Sequence, residues 1–245
     1  NNIKAYRSRN DGRYRFISFD LDYAFKGCWD YSGTDPFVTF YKFKDSSAPR
    51  TSYNKDIVNL FLNLLDNEVY RHQFIDTFCI VASSVFEPNR AEMIVDELLA
   101  NVKPMCQLMR QKAITDVHDP DRAATTIKNE LKGRSATMTS YMKQFAPTKL
   151  STVTRQRVTL TTNLSTQTAN PSPLTSNLIT VNGLRVPYAY FDGHLFGPIR
   201  IEAQAPAGYR FTGWKSSGNL FSTEPVIDLP DAGTISLTAT FEPPT

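Results

Sequence analysis

Residues 1–22, NNIKAYRSRNDGRYRFISFDLD, contain the pattern that decides the first part of the fold. Two short runs of alternating apolar and basic residues flank Asn10-Asp11-Gly12, which is typical of a β-hairpin turn. The second run continues into an apolar segment and ends at two carboxylates, Asp20 and Asp22. The stretch therefore predicts a hairpin whose second strand leads directly into a pair of acids.

The two acids have a possible chemical role. Acids separated by one residue on a strand point to the same face, and at a strand end they can converge on a hard cation such as Mg²⁺. Asn1 and Asn2 precede the first strand, so the hairpin is expected to return beside them, and their side-chain oxygens are also hard ligands. The alternative, which the pattern leaves open, is that Asp20 and Asp22 only end a strand and are solvated or cap a turn.

From about residue 55 to 145 the apolar residues recur at helical spacing. A first helix is predicted to bury a face formed by Phe74, Phe78, Val81 and Val85. A second helix is predicted from a capping box of Asn89 and Glu92, and Pro104 is expected to kink or split it. Its apolar stripe is predicted to contain Ile94, Leu98, Val102, Met105 and Met109.

Two further helices have clear end signals. Asp119 is predicted as the N-cap of one helix, with Pro120 at its first position and Gly133 at its end. A short helix over 135–145 is expected to end before Pro147. Both predictions rest on residues adjacent in the chain.

After residue 150 the pattern becomes that of strands. Asn182-Gly183 between apolar runs predicts a tight hairpin, and the segments 197–205 and 233–243 alternate between apolar and polar residues. Residues 151–245 are therefore predicted to form a separate all-β, sandwich-like domain, which makes the fold class α+β.

Composition excludes several classes of function. The 245 residues include 27 basic and 24 acidic side chains, a net charge of +3, and this is too balanced to predict nucleic-acid binding. Cys28, Cys79 and Cys106 are too few for a disulfide scaffold and match no zinc pattern. No apolar run approaches the roughly 20 residues of a membrane span, and no signal-peptide pattern is present at Asn1.

The order of motifs resembles one known family. NNIKAYR followed by DGRYRFISFDLDYAF and then YRHQFIDTFCIVASSVFEPNRAEMIVDELLANVKPMC is similar to the C-terminal half of the CotH (spore coat protein H) kinases, over about residues 1–145. The resemblance implies that residues 1–148 are the C-lobe-like part of an atypical protein kinase, which transfers the γ-phosphoryl group of ATP to serines of secreted or coat proteins. The β-region, with GYRFTGW at 208–214, looks like the tail domain of family members from gut bacteria.

The resemblance also implies roles for the residues with which the chain opens. Asn2, or its neighbour Asn1, corresponds to the family's metal-binding asparagine, Asp20 to its metal-binding aspartate, and Asp22 to a further ligand. The implied cofactors are Mg²⁺ or Mn²⁺ with ATP, and the implied location is bacterial, secreted or at the cell surface. The catalytic aspartate is expected upstream of Asn1, and no glycine-rich phosphate loop or nucleotide-binding lysine can be placed, so the chain by itself is predicted to be inactive.

An alternative function remains open at this level. The chain could be a non-catalytic surface or coat protein that binds proteins or glycans through its β-region, where exposed aromatic residues could form a sugar platform or complete an interdomain contact. The candidate aromatic residues are Tyr188, Tyr190, Phe191, Tyr209 and Trp214. The cations of the first hairpin, Lys4, Arg7, Arg9, Arg13 and Arg15, could steer a nucleotide or simply form its solvated face. The three histidines, His72, His118 and His194, have no partner at ligand spacing and are predicted to be surface or packing residues.

Overall fold

The computed structural model describes residues 3–18, 35, 37–38, 55–112, 119–150, 155–164, 178–231 and 233–243. The chain divides into two compact units, residues 1–68 and 69–245. The predicted boundary between a kinase-like part ending at 148 and a β-domain starting at 151 stays a prediction. The α+β fold class is confirmed, because helices and two larger sheets are both present.

In the described part of the first unit lie the predicted hairpin and, further along the chain, a helix. Strands β1 (Ile3–Arg7) and β2 (Tyr14–Ser18) pair antiparallel, from Ile3 opposite Ser18 to Arg7 opposite Tyr14. Gly12 adopts a φ of +66°, the left-handed conformation that its turn requires. Helix α1 (Lys55–Leu64) buries Val58 and Leu62.

The second unit begins with helices. They are α2 (Glu68–Ile80), a π-helical turn at Val81–Val85, called here the π segment, α3 (Pro88–Gln111), α4 (Pro120–Lys132) and α5 (Arg134–Lys149). The predicted ends of α4 are confirmed, since Asp119 accepts hydrogen bonds from the backbone of Asp121 and Arg122 and Gly133 is the C-cap. Helices α3 and α4 pack through a shared apolar cluster, Ala91, Val95, Leu99, Ala124, Ile127 and Leu131.

Two helix predictions were wrong in detail, and part of a third. The cap of α3 is Glu87, because its carboxylate accepts bonds from the backbone N–H groups of Asn89 and Arg90. Helix α3 continues through Pro104 to Gln111 without a split, whereas the kink expected there stays a prediction. Helix α5 continues past Pro147, with buried Ala146 before the proline and buried Leu150 after it, so packing on both sides outweighs the lost backbone hydrogen bond.

The predicted apolar faces are also different. In α2 and the π segment the buried residues are Ile75, Asp76, Cys79, Ile80, Ala82, Ser83 and Ser84, whereas Val81 is exposed. The stripe expected on α3 is largely exposed at Leu98, Val102 and Met105, because α4 covers only the neighbouring side of the helix. The spacing predicted helices correctly, but it did not predict which side of each helix is covered.

The described residues of the β-region form nine strands in two sheets. The strands are β3 (Arg155–Thr162), β4 (Ile179–Val181), β5 (Leu184–Arg185), β6 (Phe191–Phe196), β7 (Arg200–Ala203), β8 (Arg210–Ser216), β9 (Asn219–Ser222), β10 (Val226–Asp228) and β11 (Thr234–Glu242). The five-stranded sheet has the order β6-β3-β11-β8-β9, in which β3 and β11 are parallel and the other pairs antiparallel. The four-stranded sheet has the order β10-β7-β4-β5.

Local irregularity explains two features of these strands. Asn182 and Gly183 both have positive φ, +49° and +78°, which confirms the predicted tight turn between β4 and β5. A register shift of β8 against β11, where Thr240 pairs with Gly213 and Phe241 with Phe211, lies inside the GYRFTGW segment. Trp214 is fully buried, and Phe211 makes an edge contact with it at a centroid distance of 5.9 Å.

The helices and the β-region of the second unit meet at β6. The π segment and α5 both contact this strand. Gly193 lies so close to Ser83 that a Cβ atom on residue 193 would overlap the Ser83 side chain. The contact therefore depends on a glycine at this position of the strand.

We expect Gly193→Ala to lower the free energy of unfolding by about 1–3 kcal/mol, because the added methyl group must displace Ser83. Urea unfolding of the full chain measures this. Gly133→Ala is the matched control, because nothing lies within 4 Å of a Cβ there and its φ is −98°, so its effect should stay within about 0.5 kcal/mol. Ser83→Gly combined with Gly193→Ala should be less destabilised than the sum of the two single variants, and additivity would contradict the contact.

Candidate functional site

The first hairpin lies next to the predicted metal ligands in the sequence. Ile3 and Ser18 are directly opposite each other in the β1–β2 register. Asn2 precedes Ile3 in the sequence, and Asp20 follows Ser18 by two residues, so the predicted ligands are near this strand pair in the sequence. Asn1, Asn2, Asp20 and Asp22 themselves lie outside the described residues, and their metal role stays a prediction.

The described residues contain little that suggests another metal centre. Among them, no group of three or more His, Cys, Asp or Glu side chains could hold a metal ion. His72 and His194 are partly buried, and Cys79 and Cys106 are free thiols; His118 and Cys28 lie outside the described part. In that same part, no helix is both long and apolar enough to cross a membrane.

The start of α3 is the most tightly connected polar group in the helical part. Glu87 is buried, and its carboxylate accepts from the backbone N–H of Asn89 at 3.2 Å and of Arg90 at 2.9 Å. Arg90 donates from Nη1 to the Val85 carbonyl oxygen at 2.7 Å, which satisfies a backbone group at the end of the π segment. Its guanidinium carbon lies 3.4 Å from the centroid of the Tyr188 ring, a cation–π contact with the β-region.

A second polar contact joins α2 to the β4–β5 turn. Asn182 donates from Nδ2 to the buried carboxylate of Asp76 at 3.0 Å, and its Oδ1 accepts from the backbone N–H of Arg200 at 2.8 Å. Burial raises the pKa of Asp76 to about 6, although the Asn182 hydrogen bond and the charge of His72 oppose the rise. Burial, with the nearby Asp76 charge, also raises the pKa of the Cys79 thiol, so Cys79 is a poor nucleophile.

These contacts hold elements together, and sequence analysis did not predict them. Glu87 and Arg90 lie in the FEPNR segment, beside the predicted capping box of Asn89 and Glu92, but nothing local identified Tyr188 as the partner. Of the predicted aromatic residues, Phe191 and Trp214 are fully buried in the core, while Tyr209 is exposed. Arg7, Arg9 and Arg13 of the hairpin are exposed.

The family model described as CotH kinase protein matches residues 1–138. That span is more than half of the 245 residues. The chain belongs to the CotH kinase family. Membership confirms the resemblance seen in the hairpin and the FEPNR helix, and the CotH match ends within α5, before the β-region begins. No curated protein and no solved structure gives a significant match.

The CotH family suggests a kinase-like or coat-associated protein with an atypical kinase fold. It also suggests use of a nucleotide and a divalent metal, and a protein substrate. The described residues of this CotH chain supply the hairpin that leads to the predicted ligands, together with the helical scaffold that follows.

We expect Asp76→Asn to stabilise the protein at neutral pH and to have little effect near pH 4. The native pKa of Asp76, about 6, is above its ordinary value, so the native state favours the protonated carboxyl. The contribution of this carboxyl to the free energy of unfolding is therefore fully present below pH 4 and is lost as the pH rises through 6. The amide keeps an acceptor for Asn182 without a charge, so the gain should reach about 3 kcal/mol above pH 7. Urea unfolding between pH 4 and pH 8 measures it.

Glu224→Gln, at an exposed carboxylate between β9 and β10, is the control for this experiment. It should change the free energy of unfolding by less than about 0.5 kcal/mol. An Asp76→Asn variant that is less stable than the wild type at pH 8 would show that the charged carboxylate is favourable in its site.

Proposed function

We propose that this chain is part of an atypical protein kinase that transfers the γ-phosphoryl group of ATP to serines of secreted or coat proteins. The observation that carries the proposal is the β1–β2 register, in which Ile3, the neighbour of Asn2 in the sequence, lies opposite Ser18, two residues before Asp20. The family match supports the same assignment, because it includes this hairpin.

In this proposal, Asp20, Asp22 and one of Asn1 or Asn2 hold Mg²⁺ or Mn²⁺. Carboxylate and amide oxygens are the donors that hard cations prefer, so the residue types fit the metal. When bound with ATP, the metal neutralises phosphate charge and aligns the leaving group. The described strands contribute a paired backbone from Ile3 and Ser18 inward, next to this set of ligands in the sequence.

The general base and the phosphate-binding lysine are not assigned to any residue of this chain. We therefore propose that residues 1–245 alone do not transfer phosphate and that the activity needs upstream sequence of the same protein. Residues 151–245 would serve as an appended β-domain for contacts with proteins or glycans outside the cell.

The test is ATP-dependent autophosphorylation in the longer protein that contains this chain, with Mg²⁺ or Mn²⁺ supplied. We expect Asp20→Asn to lower the transfer rate by about a hundredfold or more, because the metal loses a charged ligand. Asp56→Asn, an exposed acid in the first turn of α1, is the matched control and should remain within about twofold of the wild type. Radiolabel transfer from γ-labelled ATP measures the rate, and urea unfolding checks that both variants fold.

Full activity in Asp20→Asn would contradict the metal role and leave FDLD as the end of a strand. A longer protein that shows no transfer with either metal, and no ATP binding, would instead favour the non-catalytic surface or coat protein. The two failures differ, because only the first leaves phosphoryl transfer intact.

A further inference from the structure

A group of cations lies on one face of the β3–β6 strand pair, far along the chain from the predicted metal ligands. Arg157 is directly opposite His194 in the antiparallel register, and Arg155 is opposite Phe196. Residues two apart on a strand share a face, so Arg155, Arg157 and His194 are neighbours on the same side. Lys143 of α5 is close enough that its charge acts on His194.

The charges of this group are unbalanced. Arg157 donates from Nη2 to Oδ1 of Asp192 at 2.6 Å, and Thr159 donates to the same oxygen at 3.1 Å. Asp192 therefore compensates Arg157. Lys143 and Arg155 have no counter-ion among the described residues, which leaves two positive charges beside a neutral imidazole.

His194 is constrained by these neighbours. Its Nδ1 is buried and has no hydrogen-bond partner in the described part of the chain. Burial is the main cause that lowers the pKa of His194 to about 4, with Lys143, Arg157 and Arg155 acting in the same direction and Asp192 opposing them. The π segment, which also packs on β6, contributes no ionisable side chain.

We propose that Lys143, Arg155, Arg157 and His194 form a binding site for a phosphate-class dianion. Two uncompensated cations match the charge of one dianion, and the planar guanidinium group of Arg155 suits its oxygens. A bound dianion opposes the field of the cations, so it favours protonation of the imidazole, which then gains a donor at each ring nitrogen. Binding is thereby coupled to the uptake of a proton by His194.

Sulfate is the first probe, because it stays a dianion between pH 4 and pH 8 and so separates the titration of His194 from that of the ligand. NMR titration of the imidazole signals of the full chain, at constant ionic strength in sodium chloride or sodium sulfate, follows the pKa of His194. We expect sulfate to raise that pKa from about 4 toward its ordinary value. The signals of His72 serve as an internal reference, and His194→Gln identifies the resonance.

Variants test which cations form the site. Lys143→Gln and Arg155→Gln should each weaken sulfate binding by about tenfold, the loss expected for one charge-assisted contact. Arg185→Gln removes an exposed arginine of β5 and is the matched control, expected to bind as the wild type does. The proposal is overturned if chloride shifts His194 as much as sulfate, or if Arg185→Gln weakens binding as much as Arg155→Gln.

Two sources of the dianion remain to be distinguished by the same titration at pH 7.5. Inorganic phosphate represents a free ion, and a peptide that contains one phosphoserine represents a modified polypeptide. Tighter binding of either identifies the source, and binding of neither overturns the site.

Discussion

The close approach of the π segment to strand β6 at Gly193 is the contact on which the second unit depends. A π-helical turn widens the helix locally, and here Ala82, Ser83 and Ser84 are buried in succession. Their small side chains let a helical backbone come near a strand, and Gly193 removes the one Cβ that would prevent it. The two elements therefore pack through small side chains at short range, and not through large apolar side chains.

Two polar contacts flank this approach. Arg90 donates to the carbonyl oxygen at the end of the π segment and stacks on Tyr188. Asp76, in helix α2 before the π segment, accepts a hydrogen bond from Asn182. A buried carboxylate that is charged at neutral pH destabilises the fold, whereas a hydrogen bond to a fixed donor specifies one position of the partner. Asn182 is such a donor, because its conformation is set by the tight turn and by its bond from Arg200.

Sequence patterns predicted the parts of this fold that depend on neighbouring residues. The hairpin turn at Gly12, the turn at Asn182-Gly183 and the cap at Asp119 all rest on backbone chemistry within a few positions. The covered helix faces could not be predicted in this way: Leu98, Val102 and Met105 have ideal spacing for a core but face solvent, because α4 packs beside them. Trp214 is likewise buried in contact with Phe211 across a register shift of β8 against β11, an irregularity that an alternating pattern does not show.

The candidate sites also differ in how far local sequence could predict them. The ligands Asn1, Asn2, Asp20 and Asp22 were predicted from a short motif and a family resemblance; they lie outside the described residues, and their metal role stays a prediction. The roles of Asp76 and Arg90 could not be predicted, since Asn182 is 106 residues from Asp76 and its geometry appears only in the fold. The cations around His194 were missed for a related reason, because His194 meets Arg155 and Arg157 only through the pairing of β6 with β3.

Several of these contacts join residues inside the family match to residues outside it. Asp76, Ser83 and Arg90 lie inside the matched residues, whereas Asn182, Tyr188 and Gly193 lie beyond them. The buried polar groups of α2 and α3 thus obtain partners from a part of the chain that the family model does not describe. Because an unpartnered buried charge is strongly unfavourable, a change at Asn182 or Tyr188 acts on the helices as directly as a change within them. The stability of the helical scaffold therefore depends partly on residues of the β-region that lie outside the family match.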